Sequence, residues 1–257
     1  IMSDYGNNNE QVVHMVLDTE TTGFKADDGD RIVEIGVVEM INNQPTGRKL
    51  QLYIKPIDDN GNQKSVGDSF KVHGLSDEFL ADKPVMSSVI DKFIDFVRGT
   101  VLVIHNAKFD VKFLEKELEL CEKPKLFNLV KNVHCTLMTD TRLFPKEKHK
   151  LDDLCDRFGV DRTNRTVHGA LLDAELLSEC FRLTNLQFDS TKIEGIIEQT
   201  DWERPEIKRF DGVSLRKATI NSDEELIHQN FVKKMDEKNK KPSIFTLATS
   251  KPAKLGM

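Results

Sequence analysis

One short stretch constrains this chain more than any other. Val12-Val13-His14-Met15-Val16-Leu17 runs directly into Asp18-Thr19-Glu20-Thr21-Thr22-Gly23-Phe24. An apolar, β-branched run of that length reads as a buried strand, and it ends in two carboxylates spaced two apart. Alternate strand residues share a face, so Asp18 and Glu20 project together from the strand end. Like charges held that close raise each other's pKa unless a cation lies between them. Carboxylate oxygens are the ligands that Mg²⁺ and Mn²⁺ prefer. The plain alternative is two solvated acids at a strand end, and this stretch alone leaves both readings open.

The remaining pattern supplies a frame. Arg31 to Ile41 (RIVEIGVVEMI) reads as a central strand, Asn42 to Gly47 as a turn and Lys49 to Ile54 as a third strand. Short polar turns favour antiparallel neighbours. Ser76 is a candidate cap for a short helix. Pro84 to Arg98 puts Val85, Val89, Ile90, Phe93, Ile94 and Val97 at three- and four-residue steps, a helical period that Gly99 stops. Thr100 to Ile104 is a short buried strand. Asn106 stands at a helix N-cap position, ahead of a stripe of Phe109, Phe113, Leu114 and Leu118. Asn132 to Cys135 reads as a strand, Thr136–Phe144 and Leu151–Phe158 as helices, and His168-Gly169 opens a helix over Ala170–Leu183.

This order predicts an α/β fold. Three antiparallel strands, then parallel ones, form a mixed sheet flanked by helices, with a flexible C-terminal extension. The expected domain covers 11–185, after a disordered 1–10. Residues 186–222 read as a linker and 223–257 as a docking tail.

Two further acids and a histidine join the first pair. Asp110 falls in the first turn of its helix, where an acid complements the helix dipole in any case. Asp173 sits among Leu171, Leu172, Ala174, Leu176 and Leu177, where burial is costly unless the carboxylate is paired or metal-bound. His168 precedes it by five residues, about 500° of helix, so the histidine must lie in the loop or first turn to share a pocket with Asp173. A helix-capping role for His168 remains the alternative.

LDTETTGF, HNAKFD and HGALLDA, in that order, closely resemble the three motifs of the DnaQ-like, DEDDh-type 3′→5′ exonucleases. The resemblance spans about 12–184 and implies a ribonuclease H-like fold. It also implies two divalent cations, Mg²⁺ or Mn²⁺, and attack of water on the 3′-terminal phosphodiester of DNA. On that basis Asp18 bridges both ions, Glu20 and Asp173 hold the ion carrying the water, Asp110 helps hold the second, and His168 takes the proton. Thr21, Asp68 and His73, with Asp18, Glu20 and Asp173, match positions that line the nucleotide. Phe109 could wedge bases, though core packing is the more ordinary role.

Within the family, FKVHGLSDEFLADKP, LVIHNAKFDVKFLEKELE, FPKEKHKLDDLC and RTVHGALLDAELL resemble the branch of epsilon proofreading subunits of bacterial DNA polymerase III. That branch implies docking on the polymerase III alpha subunit through the tail, and a small stabilising subunit on the exonuclease domain. Asn185-Leu186-Gln187-Phe188-Asp189 matches a Gln-led clamp-binding motif poorly, which puts direct sliding-clamp binding in doubt. The rival readings are an exoribonuclease of the same family acting on RNA 3′ ends, and a non-catalytic binding scaffold.

Charge and cysteine use fit this picture. The net charge is −6, yet residues 203–257 hold 12 Lys+Arg against 8 Asp+Glu. An acidic body that handles a polyanion needs cations or a partner to present the substrate. Cys121, Cys135, Cys155 and Cys180 form no CxxC pair, so neither a zinc site nor a disulfide framework is expected. No apolar run reaches the roughly 18 residues of a membrane span, and no basic-then-apolar leader precedes the first strand. A cytoplasmic protein is the expectation.

Overall fold

The computed structural model describes residues 12–163, 165, 167–188 and 196–197. All of these lie in the first of two compact units, 1–204. The expected N-terminal disorder, the docking tail and most of the linker fall outside the described residues.

Strands β1 (Val13–Thr21), β2 (Ile32–Ile41) and β3 (Gln44–Tyr53) are antiparallel neighbours. β4 (Val101–Ile104) runs parallel to β1, and β5 (Asn132–Cys135) parallel to β4. A two-residue β6 (Ile196–Ile197) lies antiparallel to β5, giving the order β3-β2-β1-β4-β5-β6. No strand is expected at β6 from sequence, because two residues cannot establish a period. The helices are α1 (Phe70–His73), α2 (Asp77–Ala81), α3 (Met86–Val97), α4 (Ala107–Leu120), α5 (Thr136–Leu143), α6 (Leu151–Phe158) and α7 (Ala170–Gln187). Ser76 caps α2, its Oγ accepting from the Phe79 N–H at 3.1 Å.

Three local features differ from expectation. β1 does not end at Leu17; its ladder continues through the acids, with Asp18 opposite Gly36 and Glu20 opposite Glu34. Asn42 and Asn43 alone make the β2–β3 hairpin turn, both at positive φ (52° and 62°), as two-residue hairpins require. Gln44 to Gly47 therefore belong to β3, where Pro45 is tolerated on an edge strand. Asn106 occupies the N-cap position of α4 in a left-handed conformation (φ 58°), and its side chain makes no capping bond. It turns the chain by backbone shape.

Strand alternation divides β1 between two layers. Met15 and Leu17 pack into the larger core with Ile90, Phe93 and Ile94 of α3 and Phe113 and Leu114 of α4. Val16 packs on the other face with Val38, Met40 and Val103, against Ala174, Leu177 and Phe181 of α7. The same alternation turns Asp18 and Glu20 to the α7 side and Thr19 to the α4 side. α4 is tied to the start of β2 by the buried Glu117. It takes two bonds from the Arg31 guanidinium, at 2.8 and 2.6 Å, and one from the Ile32 N–H at 3.2 Å.

α7 comes in very close to the sheet. A Cβ at Gly36 would stand 2.2 Å from Leu171 N and 2.3 Å from Ala170 C. Only glycine lets the helix start there, directly above the strand position opposite Asp18. Gly36→Ala must push α7 away, and overpacking of this severity destabilises by about 3 kcal/mol. A urea titration checks this: the midpoint should fall with the m-value unchanged.

Candidate active site

The end of β1 brings the two acids of the first motif to the N-terminus of α7. Ligand atoms of Glu20, His168 and Asp173 all lie within 4.8 Å of one another. Asp173 is in the first turn of α7 and buried. Asp110 arrives from the opposite layer, in the first turn of α4, and is fixed by Thr19: Thr19 Oγ1 donates to Asp110 Oδ1 at 2.7 Å. Each residue of the pair 18 and 19 thus faces a helix that carries one more acid.

The electrostatics record this crowding. Burial, then the neighbouring charges of Asp110, Glu20 and Asp173, holds the Asp18 carboxyl well above the usual carboxylate range. Glu20 is pushed up to about 8 by burial and by Asp173 and Glu34. Asp110 rises to about 7, chiefly through burial, against the hydrogen bond from Thr19. Asp173 goes the other way. Burial would raise it, but hydrogen bonds from His168 and Arg165 and the guanidinium charge hold it below its ordinary value. Oxygen-rich, mutually repelling and part-buried, this donor set suits a hard divalent cation.

Arg165 is the cation that sequence reading overlooked. Its Nε and Nη2 donate to the two oxygens of Asp173, each at 2.6 Å. Nη1 donates to Asp152 Oδ1 on α6 at 2.6 Å, and Nη2 lies 2.8 Å from His168 Nδ1. His168 Nδ1 also stands 3.3 Å from Asp173 Oδ2. A guanidinium only donates, so Nδ1 accepts from Arg165 when it carries no proton and donates to Asp173 when it carries one. The backbone of His168 is anchored to α1, its N–H bonded to Val72 O at 3.0 Å, while its side chain is half-exposed. The available signal was proximity: Arg165 lies three residues before His168, beside an acid that needs a partner.

Glu34 was also missed. A carboxylate opposite Glu20 on the same face is ordinarily destabilising. Here Glu34 is satisfied by the Ala170 N–H at 3.1 Å and by Gln51 Nε2 at 2.8 Å, so it holds the first turn of α7 from across the sheet. A charge inside the run RIVEIGVVEMI was the clue, since buried charges need partners.

The other expected site residues divide. Thr21 is buried at the end of β1, its Oγ1 bonded to Gly23 O at 2.6 Å, beside the acids. His73 is buried, with Nδ1 accepting from the Leu75 N–H at 3.0 Å, while Nε2 makes no hydrogen bond. Burial lowers its pKa, against the Thr21 backbone and with the help of His168, which puts the ring near both. Asp68 is not drawn in: it is exposed and pairs with Lys71 at 2.6 Å. Phe109 packs partly on the main core, as its ordinary role requires. Phe24, 81% exposed, sets its ring 6.4 Å from that of Phe109.

Comparison with known proteins gives the family. The family described as Exonuclease (RNase T) matches residues 15–181, and the chain belongs to that family. The chain is 38% identical over 240 residues to the DNA polymerase III subunit epsilon of Pasteurella multocida, covering 90% of this chain and 92% of that one. It is 39% identical to the protein of that name from Salmonella typhimurium, covering 82% and 88%. Among solved structures, the nuclease domain of 3′hExo, a DEDDh family member bound to rAMP, superposes with TM-score 0.59 at 20% identity, covering 74% of this chain and 98% of that one. Exonuclease X in complex with 5′ overhanging duplex DNA gives 0.52 at 22%, covering 70% and 96%. The fold is ribonuclease H-like, and the family implies divalent metal ions. Among the described residues no helix is long and apolar enough to cross a membrane.

The raised carboxyls fix how stability depends on pH. Glu20 and Asp110 bind protons more tightly folded than unfolded, so metal-free protein should lose stability as pH rises from about 5 towards 8. Asp173 acts oppositely, losing its contribution only as pH falls through its depressed pKa. In EDTA, the melting temperature should fall by on the order of 5 °C between pH 5 and pH 8.5. Added Mg²⁺ or Mn²⁺ should remove most of that slope.

Proposed function

We propose that this protein is the 3′→5′ proofreading exonuclease of a bacterial replicative polymerase, working as the epsilon-type subunit of DNA polymerase III. The observation that carries the hydrolytic reading is the approach of Glu20, His168 and Asp173 to within 4.8 Å of one another, with Asp18 and Asp110 close enough for their charges to act on the same acids. The replicative setting rests on relatives called DNA polymerase III subunit epsilon, whose likeness extends over nine-tenths of both chains. It implies a cytoplasmic, nucleoid-associated location.

Asp18, Glu20 and Asp173 would hold one divalent ion, and Asp18 with Asp110 a second, Mg²⁺ or Mn²⁺. Bound there, such ions supply charge for the attacking and leaving oxygens of the phosphodiester. The residues of the chain do the rest. Thr19 fixes the Asp110 carboxylate. His168, half-exposed at the rim of the acids, takes the proton of the attacking water on a ring nitrogen, a task suited to a neutral imidazole near pH 7. The terminal nucleotide lies against Thr21 and His73, and the exposed ring of Phe24, backed by Phe109, offers a face for a base to stack on. Asp68 is too far out of the cluster in its bonding to be assigned more than a rim role. Residues 223–257 are the proposed contact with the alpha subunit, and a small stabilising subunit is a further proposed partner. We assign no contact with the sliding clamp.

The test uses the full chain on a DNA primer with a 3′ mismatch and on an RNA oligonucleotide, in Mg²⁺. Release of 5′-mononucleotides from the DNA is expected; preference for the RNA would overturn the proofreading role. Asp18→Ala should abolish hydrolysis while keeping or raising stability in EDTA, because it relieves repulsion. His168→Ala should lose about 10²–10⁴-fold in rate, the range for a lost general base. Asp173→Ala is the less clean variant, since it strips Arg165 of two of its bonds.

A further inference from the structure

We propose that Arg165 is the built-in counter-cation of the carboxylate cluster, holding Asp173 and His168 in a resting arrangement that a divalent ion must displace. The inference rests on the metal-site reading above and concerns a residue to which no role has yet been given.

The geometry is that of competition. Asp173 has two oxygens, and Arg165 engages both in a bidentate pair at 2.6 Å. Such planar fork pairs are the strongest class of charge-assisted hydrogen bond. A divalent cation drawing on Asp173 competes with the guanidinium for the same two oxygens. Glu20 and His168 approach the same point, with ligand atoms within 4.8 Å of Asp173. Arg165 is part-buried, with 8% of its side chain exposed, so its charge is screened less than one at the open surface.

The same guanidinium governs the base. Arg165 Nη2 lies 2.8 Å from His168 Nδ1, so the guanidinium that grips Asp173 also stands against the imidazole. Withdrawal of Arg165 releases Asp173 as a metal ligand and frees this side of the His168 ring together. The structure also supplies the place to which the guanidinium retreats. Its Nη1 is already bonded to Asp152, on α6 and part-exposed, so leaving Asp173 does not strand the charge. A resting cation of this kind makes the metal-free protein tolerable until the ions arrive.

Mn²⁺ binding to the full chain at pH 8 is the test, measured by calorimetry or by the paramagnetic signal of free Mn²⁺, without reference to turnover. Arg165→Gln should bind Mn²⁺ about tenfold tighter, the factor expected if Arg165 leaves Asp173 free about a tenth of the time. In EDTA the same variant should melt lower than the parent, so the rise in melting temperature on adding Mn²⁺ should be larger. Arg165→Lys, which keeps a charge but not the fork, should fall between the two. Unchanged or weaker Mn²⁺ binding in Arg165→Gln would overturn the proposal, making Arg165 a support for Asp173. Absence of Mn²⁺ binding in parent and variants alike would instead overturn the metal-site reading itself, and this inference with it.

Discussion

The close approach of α7 to β2 is the contact on which the site depends. A helix carrying one acid has to come to rest beside a strand carrying two, and its first turn must lie nearly on the sheet. Gly36 makes that possible by having no side chain, and Glu34, two residues earlier on the same face, receives the Ala170 N–H. The apolar seam of Val16, Val38, Met40, Ala174, Leu177 and Phe181 then holds the helix down. Each of the larger side chains in that seam contributes about 1.5–3 kcal/mol. Apolar packing thus supplies the free energy that keeps carboxylates together against their repulsion.

That repulsion is handled by a division between layers. Asp18 and Glu20 share the α7 side of β1, whereas Thr19 reaches to the α4 side and grips Asp110. The acids stay in one neighbourhood without any two of them having to share a hydrogen bond. Arg165 offsets part of the charge from the α7 side, Glu20 holds its proton to higher pH through burial and its acidic neighbours, and Asp110 does so through burial. Affinity for cations follows directly from the mismatch between so many acidic oxygens and one guanidinium.

Much of this was readable from sequence, for a physical reason. The acids stand at element boundaries, where strand period and helix period each make a strong local pattern, and the D-x-E and H-x₄-D spacings survive as motifs. The order of strands and helices was legible for the same reason. What escaped reading depends on tertiary register. Nothing local in RIVEIGVVEMI says that Gly36 lies opposite Asp18, or that Glu34 meets a helix start more than a hundred residues on. Nor does anything local say that α6 and α7 bring Asp152 and Asp173 to Arg165. Asp68 is exposed and pairs with Lys71, away from the hydrogen bonds that tie the other acids together. The Asn42-Asn43 turn was blurred by its polar neighbours, because Gln44 to Gly47 carry turn-like composition into an edge strand.

The spread of the acids along the chain has a consequence for how the protein comes into being. Asp18 and Glu20 are synthesised early, Asp110 midway, and Asp173 only with the last long helix of the domain. A ribosome-bound chain that has not yet delivered α7 has most of its sheet but lacks the fourth carboxylate and the imidazole. The site is therefore complete only when the whole domain is, because its last acid and its imidazole come at the start of the final long helix.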